Sequence, residues 1–105
     1  MNVLETQADF ETLWFHPSEQ TKWIVYFTAG WCKPCKALDL EMLETIATSV
    51  NIPIYKCDDD INNYTGGFCG VRSFPTFIYF QPKTVVSTFK SNKTDDVVKW
   101  IQSLK

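Results

Sequence analysis

The sequence predicts a single α/β domain over residues 1–105, built on a mixed β-sheet. Residues 23–29 form a continuous apolar run, which is typical of a strand buried on both faces in the parallel part of a sheet. Residues 76–80 and 85–89 are two further apolar runs, and the short segment between them predicts an antiparallel hairpin. With 105 residues, of which 45% are hydrophobic, the chain can build one core.

The first helix is predicted by a start signal followed by helical spacing. Thr6 and Asp9 stand three residues apart, as in a capping box, where each side chain bonds the backbone N–H of the other residue. The apolar residues that follow recur at the spacing of one helix face: Phe10, Leu13 and Trp14. The segment His16-Pro17-Ser18-Glu19-Gln20 is expected to break this helix.

A long second helix is expected to begin at Pro34, because a proline in the first turn of a helix loses no hydrogen bond. The residues that mark its predicted inward face are Cys35, Leu38, Met42, Ile46 and Val50. This spacing points Cys35 into the core and leaves Cys32 exposed at the start of the helix.

The rest of the chain predicts a short strand, a loop with a short helix, and a last helix. Residues 52–57 form a short strand, and the polar residues 58–70 form a loop with a short helix. The acidic run Asp58-Asp59-Asp60 in that loop is expected to be a solvated turn. A last helix turns four side chains inward: Val97, Trp100, Ile101 and Leu104.

Charge and composition exclude several classes of function. The net charge of −2 gives no basic surface for nucleic acid or an anionic membrane. No apolar run approaches the roughly 20 residues that span a bilayer. The N-terminal residues show no secretory signal, so we expect a cytoplasmic protein in a reducing compartment.

The motif Trp31-Cys32-Lys33-Pro34-Cys35, at the junction of a strand and a helix, is the strongest functional signal. Two cysteines at this spacing can close a disulfide, and unpaired N–H groups at a helix start stabilise a thiolate. The pair therefore predicts electron exchange between dithiols and disulfides.

Metal binding is the competing interpretation of these cysteines. Zinc sites usually combine two close pairs of ligands, whereas Cys57 and Cys69 are scattered and His16 stands alone. We therefore expect no metal site. Cys57 is expected to act as a small hydrophobe at a strand end, and a regulatory role for Cys69 is a secondary hypothesis.

Two motifs together resemble the thioredoxin family, and the resemblance covers essentially the whole chain. They are the WCxPCK motif of Trp31 to Lys36 and the segment Phe74-Pro75-Thr76. The resemblance implies the thioredoxin fold, in which helices flank both faces of a central mixed β-sheet. It also implies that Pro75 is cis and packs beside the cysteine pair.

The resemblance further implies the activity of a protein disulfide reductase. Cys32 is expected to attack the substrate disulfide, and Cys35 to resolve the mixed disulfide. The surface that meets the substrate is expected to include Trp31, Lys33, Pro34, Phe74 and Pro75. An NADPH-dependent thioredoxin reductase is the implied electron source, the protein needs no cofactor of its own, and it is expected to be a monomer.

The chain departs from the family pattern at two positions that bear on the chemistry. Tyr26 stands where the resemblance implies a buried aspartate that helps to deprotonate the second cysteine, and Lys56 aligns with the lysine that accompanies it. Lys56 and Tyr26 are therefore candidates for proton transfer, with slower resolution expected. Lys33 stands where glycine is usual and is expected to make the pair more oxidising.

Two other functions remain open at this point. An oxidase or isomerase of the protein disulfide isomerase type uses the same chemistry in the opposite direction, and its reduction potential distinguishes it. A non-enzymatic interaction module uses the fold as a binding platform, but such a module does not need both Cys32 and Cys35.

Overall fold

A computed structural model describes residues 1–15 and 21–105. The predicted helix break at residues 16–20 lies outside these ranges. In chain order the elements are β1 (Asn2–Val3), α1 (Gln7–Phe15), β2 (Trp23–Thr28), a 3₁₀ helix (Pro34–Ala37), α2 (Leu40–Ser49), β3 (Ile54–Asp58), α3 (Asn63–Phe68), β4 (Thr76–Gln81), β5 (Thr84–Phe89) and α4 (Thr94–Ser103). None of the described helices is long and apolar enough to cross a membrane.

The predicted mixed sheet is confirmed, and the described residues form five strands in the order β1-β3-β2-β4-β5. β1, β3 and β2 are parallel, and β4 is antiparallel to both β2 and β5. All six residues of β2 are buried, as the continuous apolar run predicted. The short edge strand β1, which the sequence pattern did not reveal, pairs with β3.

Alternate residues of β2 pack into two separate hydrophobic clusters, one on each face of the sheet. Ile24 and Tyr26 join a cluster that includes buried residues of α2 and α4. Trp23, Val25 and Phe27 join a second cluster, which includes a buried phenylalanine of α1. Because successive strand residues point to opposite faces, a continuous apolar strand requires a packed layer of side chains on each face of the sheet. Helices on both faces of a mixed sheet agree with the architecture that the resemblance implies.

The predicted capping box at the start of α1 is confirmed. Thr6 Oγ1 accepts the Asp9 N–H at 3.3 Å, and Asp9 Oδ2 accepts the Thr6 N–H at 3.2 Å. The two side chains thus satisfy backbone donors that a helix start leaves unpaired.

The expectation of one continuous helix from Pro34 to Val50 is wrong. The 3₁₀ helix ends at Ala37, and the next residue, Leu38, has an extended backbone (φ −81°, ψ 137°). Asp39 then caps a new helix by accepting the Met42 N–H at 3.1 Å. The break changes which side chains of α2 face inward. Leu43 is fully buried, whereas Met42 is 45% exposed.

Candidate active site

Two cysteines meet where the chain leaves β2 and enters the 3₁₀ helix. Cys32 and Cys35 form a disulfide, with their Cα atoms 5.4 Å apart. The Cys35 N–H donates to Cys32 Sγ at 3.2 Å, and the Cys32 N–H donates to the Ala29 carbonyl at 3.0 Å. A backbone N–H aimed at Cys32 Sγ favours the thiolate form of that sulfur once the disulfide opens.

Cys35 is buried, as predicted, but the expectation that Cys32 is exposed is wrong for the disulfide-bonded form. Only 2% of Cys32 is accessible, because its side chain is bonded to Cys35 and packs in the same cluster as Leu38. The residues beside Cys32 are exposed: Trp31 (67%), Lys33 and Pro34. The sulfur of Cys32 therefore lies just below a surface that the predicted substrate-contact residues form.

The segment around Pro75 reaches this surface from the other side. The Phe74–Pro75 peptide bond is cis, as expected, and the Phe74 ring meets the Trp31 ring edge-on, with centroids 5.6 Å apart. Phe74 is half-buried, but Pro75 itself is buried. Pro75 is thus less accessible than the other four residues predicted for this surface, all of which are at least partly exposed.

A cavity of about 330 Å³ lies behind the disulfide. It brings Tyr26 and Lys56, the two candidates for proton transfer, to the same space as Cys35. Strand alternation explains the arrangement, because Tyr26 and Lys56 are direct neighbours in the parallel pairing of β2 with β3. The complete lining is Tyr26, Thr28, Ala29, Gly30, Cys32, Cys35, Lys36, Leu38, Leu40, Lys56 and Asp58.

Tyr26 is a poor base in this position. Burial raises the pKa of its phenol, the hydrogen bond with Thr28 lowers it, and the negative charge of Asp58 raises it further. The net pKa is above the usual value of 10.0, so at neutral pH the phenol keeps its own proton and cannot take up another.

Sequence reasoning missed two aspartates at this site. Asp58 is the last residue of β3 and lines the cavity, so the expected solvated turn is wrong for this residue. Asp60 Oδ2 accepts the Gly30 N–H at 2.8 Å, and a Cβ on Gly30 would lie 2.6 Å from that oxygen. Extending the alternation of Ile54 and Lys56 by two residues would have placed Asp58 on the face of the sheet that carries the disulfide.

The other two cysteines are free thiols in unreactive surroundings. Burial raises the pKa of Cys57 to about 12, with further increases from Asp59 and Asp58. The pKa of Cys69 is also raised to about 12, first by burial and then by Cys57. Thiols that stay protonated are poor nucleophiles. The described ranges hold no cluster of three metal-ligating side chains, and His16 lies outside them.

Comparison with known proteins gives a consistent result. The sequence profile of the family described as Thioredoxin matches residues 2–103. Thioredoxin of Geodia cydonium is 27% identical over 89 residues, which cover 85% of this chain and 83% of that protein. Thioredoxin of Borreliella burgdorferi is 26% identical over 113 residues, covering 94% and 96%. The X-ray structure of Fasciola hepatica thioredoxin superposes with a TM-score of 0.84 at 27% identity, covering all of both chains.

Proposed function

The chain belongs to the thioredoxin family, and on this premise we propose how its cysteine pair reduces protein disulfides. The activity is that of a thiol–disulfide oxidoreductase, in which the Cys32/Cys35 dithiol is oxidised as the substrate disulfide is reduced. The observation that carries this conclusion is the Cys32–Cys35 disulfide itself, formed directly below the exposed Trp31.

In the proposed mechanism Cys32 is the nucleophile. Its thiolate attacks one sulfur of the substrate disulfide, forming a mixed disulfide and releasing the first substrate thiolate. Cys35 then loses its proton and attacks Cys32 Sγ, which closes the Cys32–Cys35 bond and releases the second substrate thiolate. The N–H of Cys35 that points at Cys32 Sγ supports this order, since it stabilises negative charge on Cys32.

We propose that the substrate lies across Trp31, Lys33, Pro34 and Phe74. Trp31 and Phe74 offer adjoining aromatic area in edge-on contact, and Lys33 and Pro34 are exposed next to the disulfide. Aromatic side chains supply large contact area for little loss of conformational entropy. Pro75, which follows Phe74 through the cis peptide bond, completes the proposed site and is buried.

The cellular setting is also a proposal. We propose one functional domain over residues 1–105 that acts as a monomer in the cytoplasm and is recycled by an NADPH-dependent thioredoxin reductase. The two free thiols support a reducing compartment, because free cysteines persist there. Family membership supports the reductase as the electron source.

An insulin-reduction assay coupled to NADPH and a thioredoxin reductase tests the activity, and an equilibrium reduction potential tests its direction. We expect turnover of insulin and a potential near −270 mV, the value typical of thioredoxin and well below the roughly −180 mV of protein disulfide isomerase. A potential near the latter value would favour the oxidase or isomerase. An inactive protein whose cysteines stay reduced beside insulin would favour the interaction module.

Lys33 is expected to raise the reduction potential. The cation lies beside Cys32 and favours the thiolate, so it stabilises the reduced form. Because Lys33 is exposed, solvent screens most of the effect, and we expect Lys33→Gly to lower the potential by about 10–20 mV. Equilibration with glutathione measures this difference.

Lys33→Gln separates charge from backbone freedom, because it removes the cation and keeps most of the side-chain stem. It should lower the potential as Lys33→Gly does, and the difference from the native protein should shrink at 1 M salt. An unchanged or raised potential in Lys33→Gln contradicts this role for the charge.

A further inference from the structure

Four polar side chains form a compact patch on the sheet beneath the disulfide. In the parallel pairing of β2 with β3, Tyr26 lies beside Lys56 and Thr28 lies beside Asp58. All four line the same cavity as Cys35. The remaining side chains of these two strands on this face, Ile24 and Ile54, are apolar core residues. The patch is therefore confined to the end of the sheet where the reacting sulfurs lie.

Asp58 brings a carboxylate to this patch in a fixed position. Its Oδ1 atom accepts the Asp60 N–H at 2.9 Å, which anchors the side chain at the end of β3. Oδ2 makes no hydrogen bond within the described ranges. One carboxylate oxygen thus holds the side chain, while the other remains available to accept a proton.

We propose that Asp58 accepts the Cys35 proton when the mixed disulfide is resolved. This inference rests on the proposed function. The carboxylate takes the proton through water in the cavity, whose volume of about 330 Å³ exceeds the roughly 30 Å³ that one water occupies. The Cys35 thiolate then attacks Cys32 Sγ, the bond to the substrate sulfur breaks, and its electron pair leaves with the substrate thiolate. Asp58 finally returns the proton to that thiolate or to solvent.

The other groups facing Asp58 are less suited to this task. From β2, the Tyr26 phenol is still protonated at neutral pH, because its pKa is raised. From β3 and the 3₁₀ helix, Lys56 and Lys36 supply ammonium groups, which donate protons and stabilise a nearby carboxylate. Asp58 is the one carboxylate among the described residues that line this cavity, and it is therefore the best-placed proton acceptor.

The reaction with 5,5′-dithiobis(2-nitrobenzoate), followed by stopped flow at 412 nm, separates the two steps. The first release of thionitrobenzoate reports attack by Cys32, and its rate depends on reagent concentration. The second release reports attack by Cys35, and its rate does not depend on reagent concentration. We expect Asp58→Asn to leave the first phase within about twofold and to slow the second on the order of 10-fold or more at pH 7.

Two features of the second phase identify proton transfer. As the pH rises, hydroxide takes over the removal of the Cys35 proton, so the native and Asp58→Asn rates should converge toward alkaline pH. If Asp58 acted only through its charge, its removal would favour the Cys35 thiolate and accelerate the second phase. An accelerated or unchanged second phase overturns the proposal. A native protein without a fast first phase would instead contradict the proposed function.

Matched variants complete the test. In Asp58→Asn the new amide oxygen can still accept the Asp60 N–H, so we expect this variant to fold; if it does not, Asp58→Ser replaces it, since a hydroxyl oxygen can accept the same bond. Asp59→Asn removes the same charge one residue away, beside Gly66 of α3, and should leave both phases unchanged. Adding Tyr26→Asp to Asp58→Asn should restore the second phase, whereas a structural role for Asp58 predicts no restoration.

Discussion

Replacing Cys35 with serine is expected to convert the protein into a trap for its substrates. Cys32 can still attack a disulfide, but no thiol remains to resolve the product, so a mixed disulfide accumulates. Reductase turnover should fall on the order of 100-fold or more, because the covalent intermediate cannot break down. The expected product is a complex stable in non-reducing electrophoresis and released by dithiothreitol, with the linkage at Cys32 identified by mass spectrometry.

Cys32→Ser provides the matched test of the order of attack. It should lose turnover to the same extent but trap no substrate, because Cys35 is buried and its sulfur is not the one that receives the backbone N–H. A background in which Cys57 and Cys69 are both serine should give the same pattern, since their raised pKa values leave those thiols protonated. Trapping through Cys35 would reverse the assignment of the two roles.

The features that the sequence predicted correctly depend on local signals. The apolar run of β2, the capping box of Thr6 and Asp9, and the spacing of the two cysteines each lie within a few residues. Such signals predict the structure correctly when the tertiary packing favours the same conformation as the local sequence. The cysteine motif also predicted most of the substrate-contact surface, because Trp31, Lys33 and Pro34 are neighbours of the disulfide along the chain.

The features that were missed depend on contacts between distant segments. β1 has two residues, too few to show a period, and it becomes a strand only through pairing with β3. Asp58 and Asp60 look like a solvated turn until β3 is placed next to β2, which brings Asp58 to the cavity and Asp60 to the Gly30 N–H. The burial of Cys32 was missed because it arises from packing in the closed disulfide.

The break between the 3₁₀ helix and α2 leads to the second large effect, a difference in stability between two adjacent positions. A continuous helix from Pro34 places Met42 inward, whereas the observed break at Leu38 and the cap at Asp39 place Leu43 inward. Leu43 is fully buried in the cluster that also holds Ile101 of α4, and Met42 is 45% exposed. Leu43→Ala should therefore lower the free energy of unfolding by about 2–5 kcal/mol.

Met42→Ala is the control, because it truncates a side chain of similar size in the same turn of α2. Alanine favours a helix at either position by a similar small amount, so the difference between the two variants reports burial. We expect Met42→Ala to change the free energy of unfolding by no more than about 0.5 kcal/mol. Urea denaturation of the oxidised proteins measures both, with an unchanged m-value showing that the unfolded states are comparable. Equal losses, or a larger loss for Met42→Ala, would mean that the helix runs unbroken past Leu38. Leu38 and Leu40, which line the cavity behind Cys35, would then lie in different positions from those described.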